Sequence, residues 1–203
     1  MQAAMKGIQT DISNLRLKIS RACRAIVSDY MFLPVYGLED PQYRERVYCY
    51  ELYHQLRAFI LSRSFPYSLS GEIDKQGHPL IRGNHLDNVK PDLAVHVPGD
   101  MSRNLCVIEV KPISAGTKDI ANDLRKASEF CRKGGYYSGC FLLYGTRTED
   151  SIDSVTARVK TSAALPSHRR NICLSSLTCY WHRASGEDPV EIRTTREFAL
   201  PSI

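Results

Sequence analysis

The 203-residue sequence predicts an α/β domain in which helices flank a mixed β-sheet. Three observations carry that expectation. Two β-rich runs, PDLAVHV (91–97) and LCVIEVK (105–111), stand either side of PGDMSRN, whose Pro and Gly mark a turn. A third run, GCFLLYG (139–145), is wholly apolar, the pattern of a strand buried on both faces. Around these runs lie segments whose apolar residues recur at helical spacing.

The first such segment, about 5–30, places Ile8, Ile12, Leu15 and Ile19 on one face, with Lys6, Arg16, Lys18, Arg21 and Arg24 among or just beyond them. It reads as a docking helix with a solvated basic face. MFLPVYGLEDP reads as a loop. The next helix begins where Asp40 can cap and Pro41 suits a first turn, and runs to about Leu61 with Tyr48, Leu52, Leu56 and Phe59 as its stripe. The turn-rich stretch that follows holds a strand near 68–74. After the hairpin comes a helix from about Thr117 to Arg132, with Ile120, Leu124, Ala127 and Phe130 or Cys131 inward and Gly134 at its stop. A helix near 150–164 and a hairpin of NICLSSLTCYWHR with PVEIRTTREF close the chain. The order is helix, three strands, helix, strand, with an N-terminal helix before it.

Composition bounds the function. A hydrophobic share of 43% and a charged share of 24% are those of an ordinary globular protein. The net charge of +5 and pI near 8.8 are compatible with a polyanionic partner. Seven widely spread cysteines with no CxxC pair argue against a structural zinc site and for a reducing, cytoplasmic compartment. The N-terminus has no uninterrupted apolar core of a signal peptide, and no long uncharged stretch suits a membrane. No Gly-x-Ser-x-Gly elbow or phosphate-binding glycine loop occurs.

The chemistry concentrates in the hairpin. Glu109 and Lys111 are two residues apart on a strand and so share a face. A turn centred near Met101 brings Asp92 opposite 109–111, and only pairing with 109 or 111 directs it to their face. Two carboxylates and an ammonium group then converge. Clustered carboxylates repel each other, which a divalent cation relieves; magnesium prefers oxygen ligands and uses one or two carboxylates. Beside it, a lysine suits positioning a nucleophile or stabilising a phosphorane-like transition state. These residue types suit metal-assisted phosphodiester hydrolysis.

KPDLAV followed by VIEVK resembles the PD-(D/E)xK nuclease superfamily, with Pro91 and Asp92 matching its first half and Glu109, Val110 and Lys111 its second. The resemblance covers roughly 40–146. It implies a restriction-endonuclease-like core at 40–146, a helical extension at 1–39, and a C-terminal helix and hairpin at 147–203 belonging to the same domain. It implies that Asp92 and Glu109 bind metal, joined by the Val110 carbonyl, and that Lys111 is the catalytic lysine. Many members also carry an acid on the first helix. Glu51, flanking the apolar stripe, is the candidate here, with Glu72 as its rival.

The expected activity is a magnesium-dependent nuclease, with manganese as a substitute ion, acting on DNA in defence, restriction or repair. The alternative is a catalytically silent nucleic-acid-binding or assembly subunit. Partners are expected to be nucleic acid and not membrane, with a homodimer or protein partner through the terminal segments. His54, His78, His85 and His96 lack ligand spacing, and Arg125, Lys126, Arg132 and Lys133 read as a solvated helix face.

Overall fold

A computed structural model describes residues 2–40, 42–61, 65–72, 86 and 89–194. Its elements are α1 (Gln2–Ala25), α2 (Ser28–Met31), α3 (Glu45–Ile60), β1 (Ser68–Gly71), β2 (Leu93–Val97), β3 (Asp100–Pro112), α4 (Thr117–Lys133), β4 (Tyr136–Tyr144), α5 (Ile152–Ala163), β5 (Leu177–His182) and β6 (Val190–Ile192). The strands form one six-stranded mixed sheet in the order β1-β2-β3-β4-β5-β6. β3, β4 and β5 are parallel, and the other neighbours are antiparallel. Among the described residues, no helix is long and apolar enough to cross a membrane.

Side-chain alternation on β3 divides the interior. Ile108 and Val110 join a core with α1 and α3, whereas Val107 joins a second core with α4 and α5. The sheet is therefore covered on both faces, as parallel strands require. α1 buries Ile12, Leu15 and Ile19 in its own chain's core. Two of its basic residues tie it down, Arg16 donating to the Thr178 hydroxyl (2.7 Å) and Lys18 to the Phe59 carbonyl (2.6 Å). The expected helix over 5–30 ends at Ala25, and 28–31 form a separate turn.

The start of α3 departs from the expected one. Asp40 does not cap it; Arg44 occupies the N-cap position without a side-chain bond. Gln42 is instead held in an antiparallel bridge with Leu33, and the helix opens at Glu45. Pro41 lies outside the described residues. Three residues on, Tyr48 anchors the helix. Its ring stacks on Tyr144 of β4 (3.9 Å between centroids), and its hydroxyl lies 2.7 Å from His182 Nδ1 on β5. Burial lowers the His182 imidazole to about 4, so it is neutral near pH 7.

The β2–β3 hairpin also differs. Val97 pairs with Asp100, so the turn falls at Pro98–Gly99 and not near Met101. Continued without interruption, that register would set Asp92 opposite Leu105. Irregularities at Val95/His96 and His96/Val97 give β3 four extra residues, and Leu93 pairs with Ile108. The bulges restore the alignment that brings Asp92 beside 109 and 110.

Gly145, just beyond β4, couples this framework to α3. Its φ of 88° lies in the left-handed region that favours glycine, and an added Cβ would collide with the Tyr43 ring. Tyr43 accepts from the Thr146 N–H (3.0 Å) and donates to the Thr146 carbonyl (2.8 Å), two residues before Glu45. Gly145→Ala therefore carries both backbone strain and overpacking, about 2–4 kcal/mol. The expected fall in melting temperature is roughly 5–12 °C for a chain of this size. Gly186→Ala, with φ 80° but open space around it, is expected to lose only the backbone part. Thermal unfolding by circular dichroism checks both, and equal losses would reject the Tyr43 contact as the cause.

Candidate metal and phosphate site

The alternation that hides Val110 in one core turns Glu109 and Lys111 toward the α4 side of the sheet. Asp92 precedes β2 with the same parity as Ala94, which lies in that second core. Its Oδ2 accepts a 2.8 Å hydrogen bond from the Val110 N–H, which fixes the carboxylate against the edge of β3. Val110 is thus brought to the site through its backbone, with its side chain fully buried.

α4 supplies two groups that the sequence reading leaves out or misplaces. Asp123 has an oxygen that lies, with one from Asp92 and one from Glu109, in a set whose members are all within 4.8 Å of one another. Lys126, expected on a solvated face, places its Nζ 2.5 Å from Glu109 Oε2 and 3.5 Å from Asp123 Oδ1. The two residues are three apart, adjacent on one helix face. The sequence does carry a signal for them. Asp123 lies within the stripe of Ile120, Leu124 and Ala127, so it sits on the buried side, and Lys126 follows it one turn later. Arg125 pairs instead with Glu129 along the helix (2.7 Å).

From the opposite layer, the first turn of α3 presents Glu45. Lys111 Nζ donates to both of its oxygens, at 2.9 and 2.8 Å, and stands 3.2 Å from Asp123 Oδ2. Glu45, not Glu51, is the first-helix acid that the fold brings to the site. Six residues from Glu45 is about 240° around the helix, which turns Glu51 away, and it accepts from Gln55 (2.7 Å) on its own helix. Glu72, at the end of β1, is exposed and lies 3.7 Å from Arg46 Nη2 at the mouth of the adjoining cleft. His54 is exposed, while His96 is buried with its Nε2 3.2 Å from the Ser70 hydroxyl. His78 and His85 lie outside the described residues.

The electrostatics follow from this crowding. Burial pushes the Glu109 carboxyl well above the ordinary carboxylate range; Lys126 pulls it down, and Asp92 and Asp123 push it further up. Asp123 is raised by burial against the opposing pull of Lys126 and Lys111, and Glu45 by burial against Lys111. Burial works against the Lys111 ammonium, but Asp123 and then Glu45 outweigh it, so it is held above its usual value. Lys126 is held up in the same way, by Glu109 and then Asp123. Lys111 is therefore a fixed positive charge here. Four carboxylates against two ammonium groups leave two negative charges when all are ionised.

The donor set fits a hard divalent cation. All candidate ligand atoms are oxygens, and Glu109 Oε1, on a side chain with 0% exposure, has no hydrogen-bond partner among the described residues. Asp92, Glu109 and Asp123 would hold the ion. No protein-family model, curated protein or solved structure matches the chain.

Two expectations follow. The folded state holds the Glu109 proton to higher pH than the unfolded chain, so ionising this group costs stability above its ordinary value near 4.5. Stability gained by Glu109→Gln relative to the parent should accordingly grow as pH rises from about 4.5, without added metal. Urea titrations at stepped pH measure it, and a difference that shrinks with pH would mean the Lys126 pair dominates. Separately, Glu45→Gln should release Lys111 and cut any metal-dependent activity at least about tenfold, whereas Glu51→Gln should leave it within about twofold. Parallel rate measurements on the two variants decide between the helix positions.

Proposed function

We propose that this protein is a divalent-metal-dependent nuclease with a PD-(D/E)xK-type site on a restriction-endonuclease-like core. The observation that carries the reading is the meeting of Asp92, Glu109 and Asp123 within 4.8 Å, beside a lysine held between Asp123 and Glu45. The order α3-β1-β2-β3-α4-β4 agrees with the order that the resemblance implies for residues 40–146. A bound magnesium or manganese ion supplies Lewis-acid stabilisation of phosphate oxygens and a more acidic water. Asp92 and Glu109 orient it, and Asp123 adds a third oxygen from α4. Lys111, kept cationic by its two carboxylates, is placed to neutralise charge developing on the phosphoryl group. DNA is the proposed substrate polymer, in defence, restriction or repair. The seven free cysteines support a reducing, cytoplasmic setting.

The decisive experiment incubates the purified protein with supercoiled plasmid, linear duplex, single-stranded DNA and RNA, in magnesium, manganese or EDTA. Cleavage in metal and none in EDTA is expected. Asp92→Asn should abolish it while leaving the metal-free melting temperature nearly unchanged. Lys111→Ala should slow it by roughly 10²-fold or more, with binding spared. Loss of binding alone in Lys111→Ala would make the lysine a phosphate contact, and cleavage in EDTA would overturn the metal assignment.

One observation favours a second reading, a non-cleaving nucleic-acid-binding or assembly subunit. Lys126 already lies against Glu109 and Asp123, where a divalent ion would bind, so the cluster is partly neutralised from within. In the nuclease reading the ion competes with that ammonium group. A like charge about 4 Å away is worth roughly 4 kcal/mol at an effective dielectric of about 20, and a third of that is tenfold in affinity. Lys126→Met should therefore bind manganese at least about tenfold more tightly by calorimetric titration. Unchanged affinity in that variant, together with no cleavage by the parent, would select the silent subunit.

A further inference from the structure

The acidic site opens into a cleft of about 510 Å³ between α3 and the β1–β2 edge of the sheet. Glu45 and Asp92, both half-buried, line it, so it is continuous with the site. Its outer wall is aromatic. Tyr50 and Tyr53, three residues apart on α3, share the face that begins with Glu45, Arg46 and Cys49. Tyr50 is 64% exposed, and among the described residues its ring has no stacking partner and its hydroxyl no hydrogen bond. Leu93 forms part of the floor, and Arg46 reaches Glu72 across the mouth in an exposed pair that a competing anion can open.

We propose that this cleft seats an unpaired nucleobase of the strand being cut, stacked on Tyr50, while the adjoining phosphate lies at the Asp92 end. The proposal rests on the nuclease reading and names its substrate class: single-stranded nucleic acid, or a strand with an unpaired nucleotide at the scissile phosphate. Three features support it. The volume suits a nucleoside-sized group, being within the range of small-molecule pockets. A base offers the planar face that a bare tyrosine ring takes, and each such stack is worth roughly tenfold in affinity. A paired base in duplex presents its edges in the grooves but keeps both faces stacked on neighbours, so it cannot offer one without being extruded. Extrusion costs at least as much as one stack returns, which places the preference on strands already unpaired. Arg46, freed from Glu72, is placed to meet a neighbouring phosphate.

The test uses the full chain in calcium, with strand integrity checked on denaturing gels. A strand of about 20 nucleotides carrying 2-aminopurine is compared with its duplex, and the DNA strand with RNA of the same sequence. Single strands should bind at least about tenfold more tightly than duplex, with 2-aminopurine emission quenched on binding. Tyr50→Ala should lose about tenfold in affinity and most of the quenching, Tyr50→Phe should keep both, and Tyr36→Ala, on an exposed loop, should change neither. The polymer giving the tighter, quenched complex identifies the sugar. Duplex bound as tightly as single strand, or Tyr50→Ala indistinguishable from the parent, would overturn the proposal. The two readings fail separately. Quenching that depends on Tyr50 without cleavage of any strand in magnesium keeps the base pocket and removes the nuclease. Cleavage of single strands unaffected by Tyr50→Ala does the reverse.

Discussion

A carboxylate with no solvent exposure in the middle of the sheet is the constraint on which the rest of this site depends. Glu109 lies on β3 between Ile108 and Val110 and beside Phe141 of β4, all fully buried. Burying a lone carboxylate costs several kcal/mol, so the surroundings must either neutralise it or hold it for a ligand. Lys126 answers part of that demand at one oxygen. The other oxygen is left without a hydrogen-bond partner among the described residues. Native proteins satisfy most buried polar atoms, so a carboxylate oxygen without a hydrogen bond amid a charge cluster supports the metal site proposed above.

Satisfying Glu109 recruits both layers of the fold. α4 delivers Asp123 and Lys126 because the parallel β3–α4–β4 crossover lays that helix over the face on which 107, 109 and 111 emerge. α3 belongs to the other layer, yet its first turn reaches Lys111 near the carboxyl end of β3. Tyr48 sets that reach by stacking on Tyr144, and Tyr43 by its two bonds to Thr146. The site is therefore an intersection of two helix layers at the strand ends, where parallel sheets commonly place ligands.

Much of this is legible in the sequence because the signals are periodic. The apolar runs locate β2, β3 and β4, and the two-residue spacing of Glu109 and Lys111 is enough to put them on one face. The convergence of Asp92 follows from the sequence only through a turn centre displaced by about two residues; the bulges at 95–97 compensate, and nothing in the residue pattern announces them. The start of α3 is misplaced by sequence rules because Asp40 and Pro41 satisfy capping preferences that the Leu33–Gln42 bridge overrides. Glu51 is favoured in the sequence because it flanks the apolar stripe, whereas Glu45 reaches Lys111 from the first turn of α3. Lys126 is placed on a solvated face for a different reason. A lysine near a buried stripe is usually solvated, and only the buried Glu109 opposite reverses that expectation.

Charge arithmetic connects these parts to chemistry. With Lys111 and Lys126 as cations, the four carboxylates leave at most two uncompensated negatives, a limit reached only when Glu109, whose burial favours its proton, is ionised. At that limit a monovalent ion would leave half of it uncompensated, whereas the divalent ion of the proposed function would close the balance. The lysines are not interchangeable in that balance. Lys126 contacts Glu109 and Asp123, two of the carboxylates proposed to hold the ion, so it would compete with metal; Lys111 contacts Glu45 and the Asp123 oxygen that Lys126 does not, so it would compete less. Under the proposed function, such a division would let the site stay folded without metal, through Lys126, and keep Lys111 as the positive charge toward a phosphate once metal is bound.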